Sequence, residues 1–390
     1  MRDIKKDNRV GKYVVTNVTG ESVRAYVPNA LPPVPEIEIE PLLGLMADAN
    51  RALGRLDGVA SILPDTPLFL YMYIRKEALL SSQIEGTQSS LSDLLLFESD
   101  EAPGVPLDDV QEVSNYVAAM NHGLEQLRGG FPLSLRLIKD IHNILLSKGR
   151  GSTKQPGEFR RSQNWIGGIR PSKARFVPPP PEYVLDCMSD LERFIHEQDS
   201  KLPLLIRAAL VHVQFETIHP FLDGNGRLGR LLITFMLCNE GVLSEPILYL
   251  SLFLKTHRDV YYDLLQRVRT EGAWEEWLEF FLDGVKETSE QAAETARQIL
   301  ALFATDQKKL DGLGRASASA FRVFQYVQTK PLVTVSDTSK ALNMSAPTAR
   351  KSINHLVDVG VLIEPTARKR DKIYAYQNYL DILNQGTDPL

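Results

Sequence analysis

Twelve residues, His219-Pro220-Phe221-Leu222-Asp223-Gly224-Asn225-Gly226-Arg227-Leu228-Gly229-Arg230, constrain this chain more than any other stretch. An imidazole, a carboxylate, an amide, three glycines and two guanidiniums stand between an apolar helical run ending near Thr217 and another starting near Arg227. Leu228, Leu231, Leu232 and Phe235 recur at i, i+3, i+4 and i+7, the spacing of one buried helical stripe, and put Arg227, Arg230 and Thr234 on another face. Asn225 or Asp223 can cap that helix, while Gly224 and Gly226 admit the left-handed angles that turn successive N–H groups toward one point. The pattern predicts a helix N-terminus that holds an anion. A tight turn between two core helices would explain the glycines, Asn and Asp, but not the whole run.

A chain of 390 residues has room for two or three domains, and 43% hydrophobic with 24% charged residues is the make-up of a soluble globular protein. The two cysteines, Cys187 and Cys238, both sit in apolar helical patterns, which predicts a reducing compartment and no disulfide or cysteine zinc site. The first twenty residues lack the apolar segment of a signal peptide, and no apolar run approaches the ~18 residues of a membrane helix. A cytoplasmic protein without membrane contact is expected. Charge is unevenly distributed. Between Ser317 and Tyr376 nine basic side chains face four acidic ones, a net of +5 in a chain of −5, so the rest carries −10.

Residues 1–36 read as an extended lead-in with β-like patches at 13–15 and 23–27. Helices are expected over 41–56 and 68–85, the second ending in Ser81-Ser82-Gln83-Ile84-Glu85 with Gly86 after the cap. Ser90 with Asp93 reads as a capping box opening a helix over 91–97. Further helices are expected over 110–127, 133–146, 183–196 and 204–217. His142 lies inside one of them beside Ile141 and Leu145 and reads as a core or interface histidine. Between 149 and 181 the pattern is not helical. Trp165-Ile166-Gly167-Gly168, with Arg175-Phe176-Val177 later, predicts a β-hairpin, the plain alternative being a covering loop. Trp274, Trp277, Phe280 and Phe281 have core spacing. A polar helix over 286–311 leads to three helices at 318–329, 335–342 and 345–359, then to wing-like strands at 361–363 and 372–374.

The twelve-residue run matches all nine specified positions of HPFxDGNGRxxR and so resembles the signature of the Fic family, whose enzymes transfer AMP from ATP to a protein hydroxyl. Ser81-xxx-Glu85-Gly86 resembles the [ST]xxxE[GN] inhibitory motif of the class with an N-terminal inhibitory helix. The fold implied is mainly α: a Fic-type helical bundle with a β-hairpin flap, followed by a small winged helix-turn-helix domain. Expected divisions are 1–36 (lead-in), 37–110 (inhibitory helix region), 111–285 (catalytic core), 286–316 (linker helix) and 317–378 (winged helix).

The resemblance implies specific roles. His219 is the general base, an imidazole titrating near neutrality that takes the acceptor's proton. Asp223 ligates Mg²⁺. Gly224, Asn225 and Gly226 form the anion nest, and Arg227 and Arg230 hold the β- and γ-phosphates of ATP. Gly226 stands where kinase-like relatives carry lysine, which favours AMP transfer. Glu85, beside Ser81, pairs with Arg230 and leaves the γ-phosphate without its partner. The same glutamate positions a water for AMP removal in some relatives. The stretch 254–262 resembles the adenosine-pocket segment, bringing in His257, Tyr261 and Tyr262, with histidine where relatives usually have asparagine.

The hairpin resembles the flap that docks a target's backbone by strand addition. In the last domain Thr348, Arg350 and Lys351, with Arg368-Lys369-Arg370 at the wing tip, stand where DNA phosphate contacts are expected. Such a domain serves dimerisation or peptide binding in other proteins, so a homodimer remains open. Partners expected are a target protein, the chain itself as acceptor, and duplex DNA. The alternative is a nucleotide-sensing DNA-binding regulator.

Overall fold

The computed structural model describes residues 9–18, 20–61, 66–98, 105–197, 201–310, 317–365 and 372–389. Helices dominate. Two strands come first, β1 (Lys12–Val18) and β2 (Glu21–Val27), paired antiparallel from Lys12 opposite Val27 to Val18 opposite Glu21. The expected extended lead-in is therefore a hairpin. Its docked face packs Val18, Val23 and Ala25 against Val177, and the Tyr26 N–H donates to the Val177 carbonyl at 2.9 Å.

The bundle follows: α1 (Leu43–Ser61), α2 (Thr66–Ile84), α3 (Leu91–Phe97), α4 (Leu107–Arg128), α5 (Leu135–Leu145), α6 (Pro181–Ile195), α7 (Leu204–Ile218), α8 (Asn225–Asn239), α9 (Ser251–Thr256), α10 (Arg258–Glu271) and α11 (Trp274–Leu310). The helix α3 opens on the expected capping box: Ser90 accepts from the Asp93 N–H, and Asp93 accepts from the Ser90 N–H. At the centre lie α7 and α8. Both are sheathed on nearly all sides, which is why α7 buries even His212, Gln214, Glu216 and Thr217 and why the expected stripe of Leu228, Leu231, Leu232 and Phe235 is only part of α8's buried surface. Arg227, Arg230 and Thr234 are buried as well, and their face is not a solvent face.

Between α5 and α6 the expected hairpin is reduced to one antiparallel bridge, Ile166 opposite Phe176, with a short 3-10 turn at Pro171–Lys173 between its limbs. Gly167 and Gly168 have positive φ and leave the extended conformation right after Ile166, so no ladder forms although the Arg175 N–H still donates to the Gly167 carbonyl at 3.0 Å.

The helix α11 runs unbroken for 37 residues. The boundary expected at 285 falls inside it, because Thr288, Ser289, Ala292, Ala293 and Ala296 continue its buried stripe. Beyond it come α12 (Ser317–Thr329), β3 (Leu332–Thr334), α13 (Val335–Ala341), α14 (Ala346–Asp358), β4 (Ile373–Ala375) and α15 (Gln377–Leu383). The strand pairing differs from expectation. The partner of β4 is β3, with Val333 opposite Tyr374, and the expected strand at 361–363 contributes a single bridge from Ile363 to Ala375. A three-residue strand between a proline and the Thr334 helix cap is too short to carry a readable alternation. Arg368, Lys369 and Arg370 lie outside the described residues.

Candidate active site

The helix α7 ends at His219, whose backbone is left-handed (φ 50°, ψ 59°), a conformation uncommon for any residue with a Cβ. Arg160 holds that corner. Its guanidinium donates to the carbonyls of His219 (2.9 Å), Pro179 (2.5 Å) and Ile218 (3.3 Å), and its N–H donates to the Pro220 carbonyl at 2.9 Å. The loop then turns at Gly224 (φ 76°) into α8.

Two corrections concern this turn. Neither Asn225 nor Asp223 caps α8 through its side chain. Asn225 instead exchanges two hydrogen bonds with Phe221, accepting from its N–H and donating to its carbonyl, both at 2.9 Å, and so closes the loop on itself. Gly226 does not use its conformational freedom, since its φ is not positive. A Cβ there would collide with the Glu85 carboxylate, so glycine is required for space.

His142 secures the loop from behind. The Gly157 N–H donates to its Nδ1 (2.8 Å), so Nε2 carries the proton and donates to the Asp223 carbonyl at 3.0 Å. The ring stacks on Phe221 with centroids 3.7 Å apart, and burial lowers its pKa to about 4, consistent with that neutral tautomer. Its structural reading stands, with the added task of aligning the loop.

His219, Gly226 and Arg230 meet at one cavity of about 290 Å³, also lined by Glu85, Glu216, Tyr261, Tyr262 and Arg269. That volume is near the lower end for small-molecule sites. From the turn just past α2, Glu85 reaches Arg230 at 2.8 Å, and Ser81 of α2 holds the same guanidinium by its hydroxyl (2.8 Å) and its carbonyl (2.9 Å). Burial alone would raise the Glu85 carboxyl, but the Arg230 charge overrides it and holds the carboxyl below its ordinary range.

His219 departs from the expected titration near neutrality. Burial, then the charges of Arg160 and Arg269, push its pKa down to about 3. The ring is therefore neutral, the form a base needs. A polyanion offsetting those guanidiniums would raise its basicity.

Residues 43–125 match the model of the Fic/DOC family N-terminal region, and residues 132–237 match that of the Fic/DOC family. Residues 43–237 therefore carry the two regions of the Fic/DOC family. It is 32% identical over 210 residues to a protein adenylyltransferase Fic of Culex quinquefasciatus and 31% over 251 residues to one of Aedes aegypti. These alignments cover 53% and 63% of this chain but only 39% and 44% of the relatives, so the chain spans less than half of their length. A crystal structure of a Fic family protein from Desulfovibrio desulfuricans superposes with a TM-score of 0.57 at 20% identity, covering 87% of this chain and 97% of that one. A Fic domain containing signaling protein from Bacteroides thetaiotaomicron gives 0.51 at 20% identity over 64% and 97%. Both likenesses are of fold.

Other expected members of the Fic site lie elsewhere. Arg227 is turned behind the loop, 1% exposed, paired with the buried Glu112 at 2.9 Å and with Asp223 at 3.5 Å. Packing commits it to the scaffold, so its expected phosphate contact is not available in this arrangement. His257 is not on the cavity. Its Nδ1 lies 3.1 Å from the Phe253 carbonyl one turn back, and its ring packs on Phe253, because it sits at the junction of α9 and α10.

Tyr261 lines the cavity from a buried position. His212 accepts its hydroxyl proton at Nε2 (2.9 Å) while donating from Nδ1 to the Gly229 carbonyl (3.0 Å), and burial lowers the His212 pKa to about 4. Tyr262 lines it half-exposed, with the Arg258 guanidinium 5.5 Å from its ring centre. Asp223 accepts from the Gly224 N–H through Oδ1 (2.6 Å), while Oδ2 faces Gly151, whose missing side chain leaves room there. Thr348, Arg350 and Lys351 are exposed on α14.

Three residues escaped the sequence reading. Glu216 is buried and lines the cavity, and burial raises its pKa to about 7. Its available signal is a carboxylate one turn before His219, among the apolar Val213, Phe215 and Ile218. Arg269 lines the cavity from α10, donating to the Thr217 hydroxyl (3.0 Å) and lying 4.0 Å from the Phe176 ring centre. Glu112 holds Arg227. Neither had a local signature, since their partners are distant in sequence.

Proposed function

We propose that this chain is a protein adenylyltransferase that moves AMP from ATP to a Ser, Thr or Tyr hydroxyl of a protein, itself included, and that Glu85 restrains the reaction. The supporting observation is the convergence of His219, Gly226 and Arg230 on one cavity with Glu85 already on Arg230. The names of the curated relatives agree with it.

In the transfer, the neutral His219 imidazole takes the acceptor's proton as its oxygen bonds to the α-phosphorus. The bond from that phosphorus to the bridging oxygen breaks, and pyrophosphate leaves. The N–H groups at the start of α8, Gly226 among them, face the charge that builds on the phosphoryl oxygens. Arg230 holds the distal phosphates once Glu85 has left it.

Asp223 suits Mg²⁺: it is a hard carboxylate whose Oδ1 takes the Gly224 N–H, leaving Oδ2 for the ion, with the phosphates of ATP to complete the shell. The ion would offset charge on the departing pyrophosphate. Glu85 also serves AMP removal by orienting a water. Two free cysteines, one buried and one half-buried, agree with a cytoplasmic setting.

Incubating the Glu85→Gly protein with ATP labelled at the α-phosphorus tests this. Covalent label is expected, and none with His219→Ala added. Label arriving only from the γ-phosphorus, or no label at all, refutes the reading.

For α12 to β4 the winged-helix reading has one favourable observation: α14 exposes Thr348, Arg350 and Lys351 together. Salt-dependent binding of duplex DNA, weakened by Arg350→Ala and Lys351→Ala, is expected. Affinity unchanged by both substitutions counts against it.

A further inference from the structure

The last residues of the chain return to the helix that ends just before Glu85. After α15, the Thr387 N–H donates to the Asn384 carbonyl (3.0 Å), a turn whose third residue, Gly386, has φ 77°, the position that favours glycine. This turn presents four consecutive carbonyls to three side chains of the bundle. Lys76 donates to Gln385 (2.9 Å), Lys255 to Gly386 (3.3 Å) and to Asp388, and Gln83 to Thr387 (2.8 Å). Lys255 also donates to the Gln83 amide oxygen (2.7 Å), and the Gln83 amide nitrogen to the Ser89 carbonyl (3.1 Å).

Gln83 lies between Ser81 and Glu85 in the last turns of α2. It is 0% exposed, Lys76 1% and Lys255 6%, so the donors the tail satisfies are buried ones. A buried ammonium or amide that loses its acceptor is costly, so the docked tail and the packed end of α2 support each other. The recognition runs through main-chain carbonyls, and a Cβ on Gly386 would press into Leu252 of α9.

We propose that the tail is a latch on the end of α2: docked, it keeps Glu85 on Arg230, and drawn away with the C-terminal segment, it loosens that turn and frees the guanidinium. The latch would let any partner that seizes the segment from α12 to α15 act on a cavity it never touches. Its consequence for activity rests on the reading that Glu85 restrains AMP transfer; its structural part does not.

The test uses the full chain with Gly386→Ala, which keeps every tail carbonyl but blocks their seat, and a second variant lacking residues 385–390. Hydrogen exchange of the amides from Ser82 to Thr87 is read first, then incorporation of label from the α-phosphorus of ATP. Both variants are expected to exchange there at least about fivefold faster than wild type and to label faster by a similar factor, the low end for coupling between sites. Exchange equal to wild type in both variants overturns the latch. So does faster exchange with labelling unchanged while Glu85→Gly labels strongly. Were Glu85→Gly itself inert, the transfer reading would fail, and the exchange result alone would decide for or against the latch.

Discussion

Arg227 and Arg230 stand one turn apart on α8, almost equally buried, and each faces a glutamate at 2.8 to 2.9 Å. The difference lies in the glutamates. Glu112 is 2% exposed and sits behind the loop, whereas Glu85 is 30% exposed and borders the cavity. Removing Glu112 from Arg227 would leave two ions in the protein interior. Moving Glu85 off Arg230 returns a carboxylate to water and leaves a guanidinium held by Ser81 and open to a phosphate. Burial of an arginine therefore does not separate scaffold from site. The freedom of its partner to leave does.

The comparison assigns chemistry to the cavity side and stability to the other. The largest effect expected is on chemistry. With Glu85→Gly as background, His219→Ala should cut labelling by roughly 10²- to 10⁴-fold, the range of general-base catalysis, with ATP affinity by calorimetry little changed. A matching loss of affinity would make His219 a binding residue.

Next, Arg227→Ala should cost about 3–5 kcal/mol in urea unfolding, because it strands the Glu112 carboxylate. Arg230→Ala should cost less while abolishing nucleotide binding. Equal stability losses for the two would erase the distinction. Glu85→Gly should raise labelling about 5- to 150-fold, the span of common coupling energies.

The smallest effect concerns pH. Burial lowers the His142 pKa from 6.5 to about 4, so this group's contribution to stability is fully present above 6.5 and is lost as pH falls toward 4. Glu77 and Glu216, raised to about 7 by burial, pull the other way, their neutral forms favouring the fold as pH falls. Comparing wild type with His142→Asn isolates the histidine. The gap in urea midpoint should narrow between pH 6.5 and 4, and a gap constant with pH would mean that the ring is not held neutral. The Glu85 carboxyl, held below 4.5, acts in a lower window, its pairing with Arg230 persisting until pH falls through its depressed value.

Much of this is legible in the sequence. The capping box at Ser90 and Asp93, the ends of α2 and α7 and the stripe of α8 are local patterns, and local patterns survive packing. Misreadings arose where a residue's task depends on what lies opposite. Gly226 looked like a conformational glycine until Glu85 was placed against it. Asn225 looked like a cap until Phe221 claimed both ends of its amide. The strand expected at 361–363 keeps one bridge, Ile363 to Ala375, while β3, three residues long, pairs with β4 along its length.

The order of residues from His219 to Arg230 by itself determined that a loop of hydrogen-bonding and charged groups opens onto a helix N-terminus, because turn geometry and helix periodicity are properties of neighbours along the chain. Tertiary structure alone decided which carboxylate each arginine received, with Glu85 lying 145 residues from Arg230, and that the end of the chain closes over Gln83. Coulomb attraction and hydrogen bonding act over a few ångströms and take no account of sequence separation, so only the folded topology could choose among equally suited partners.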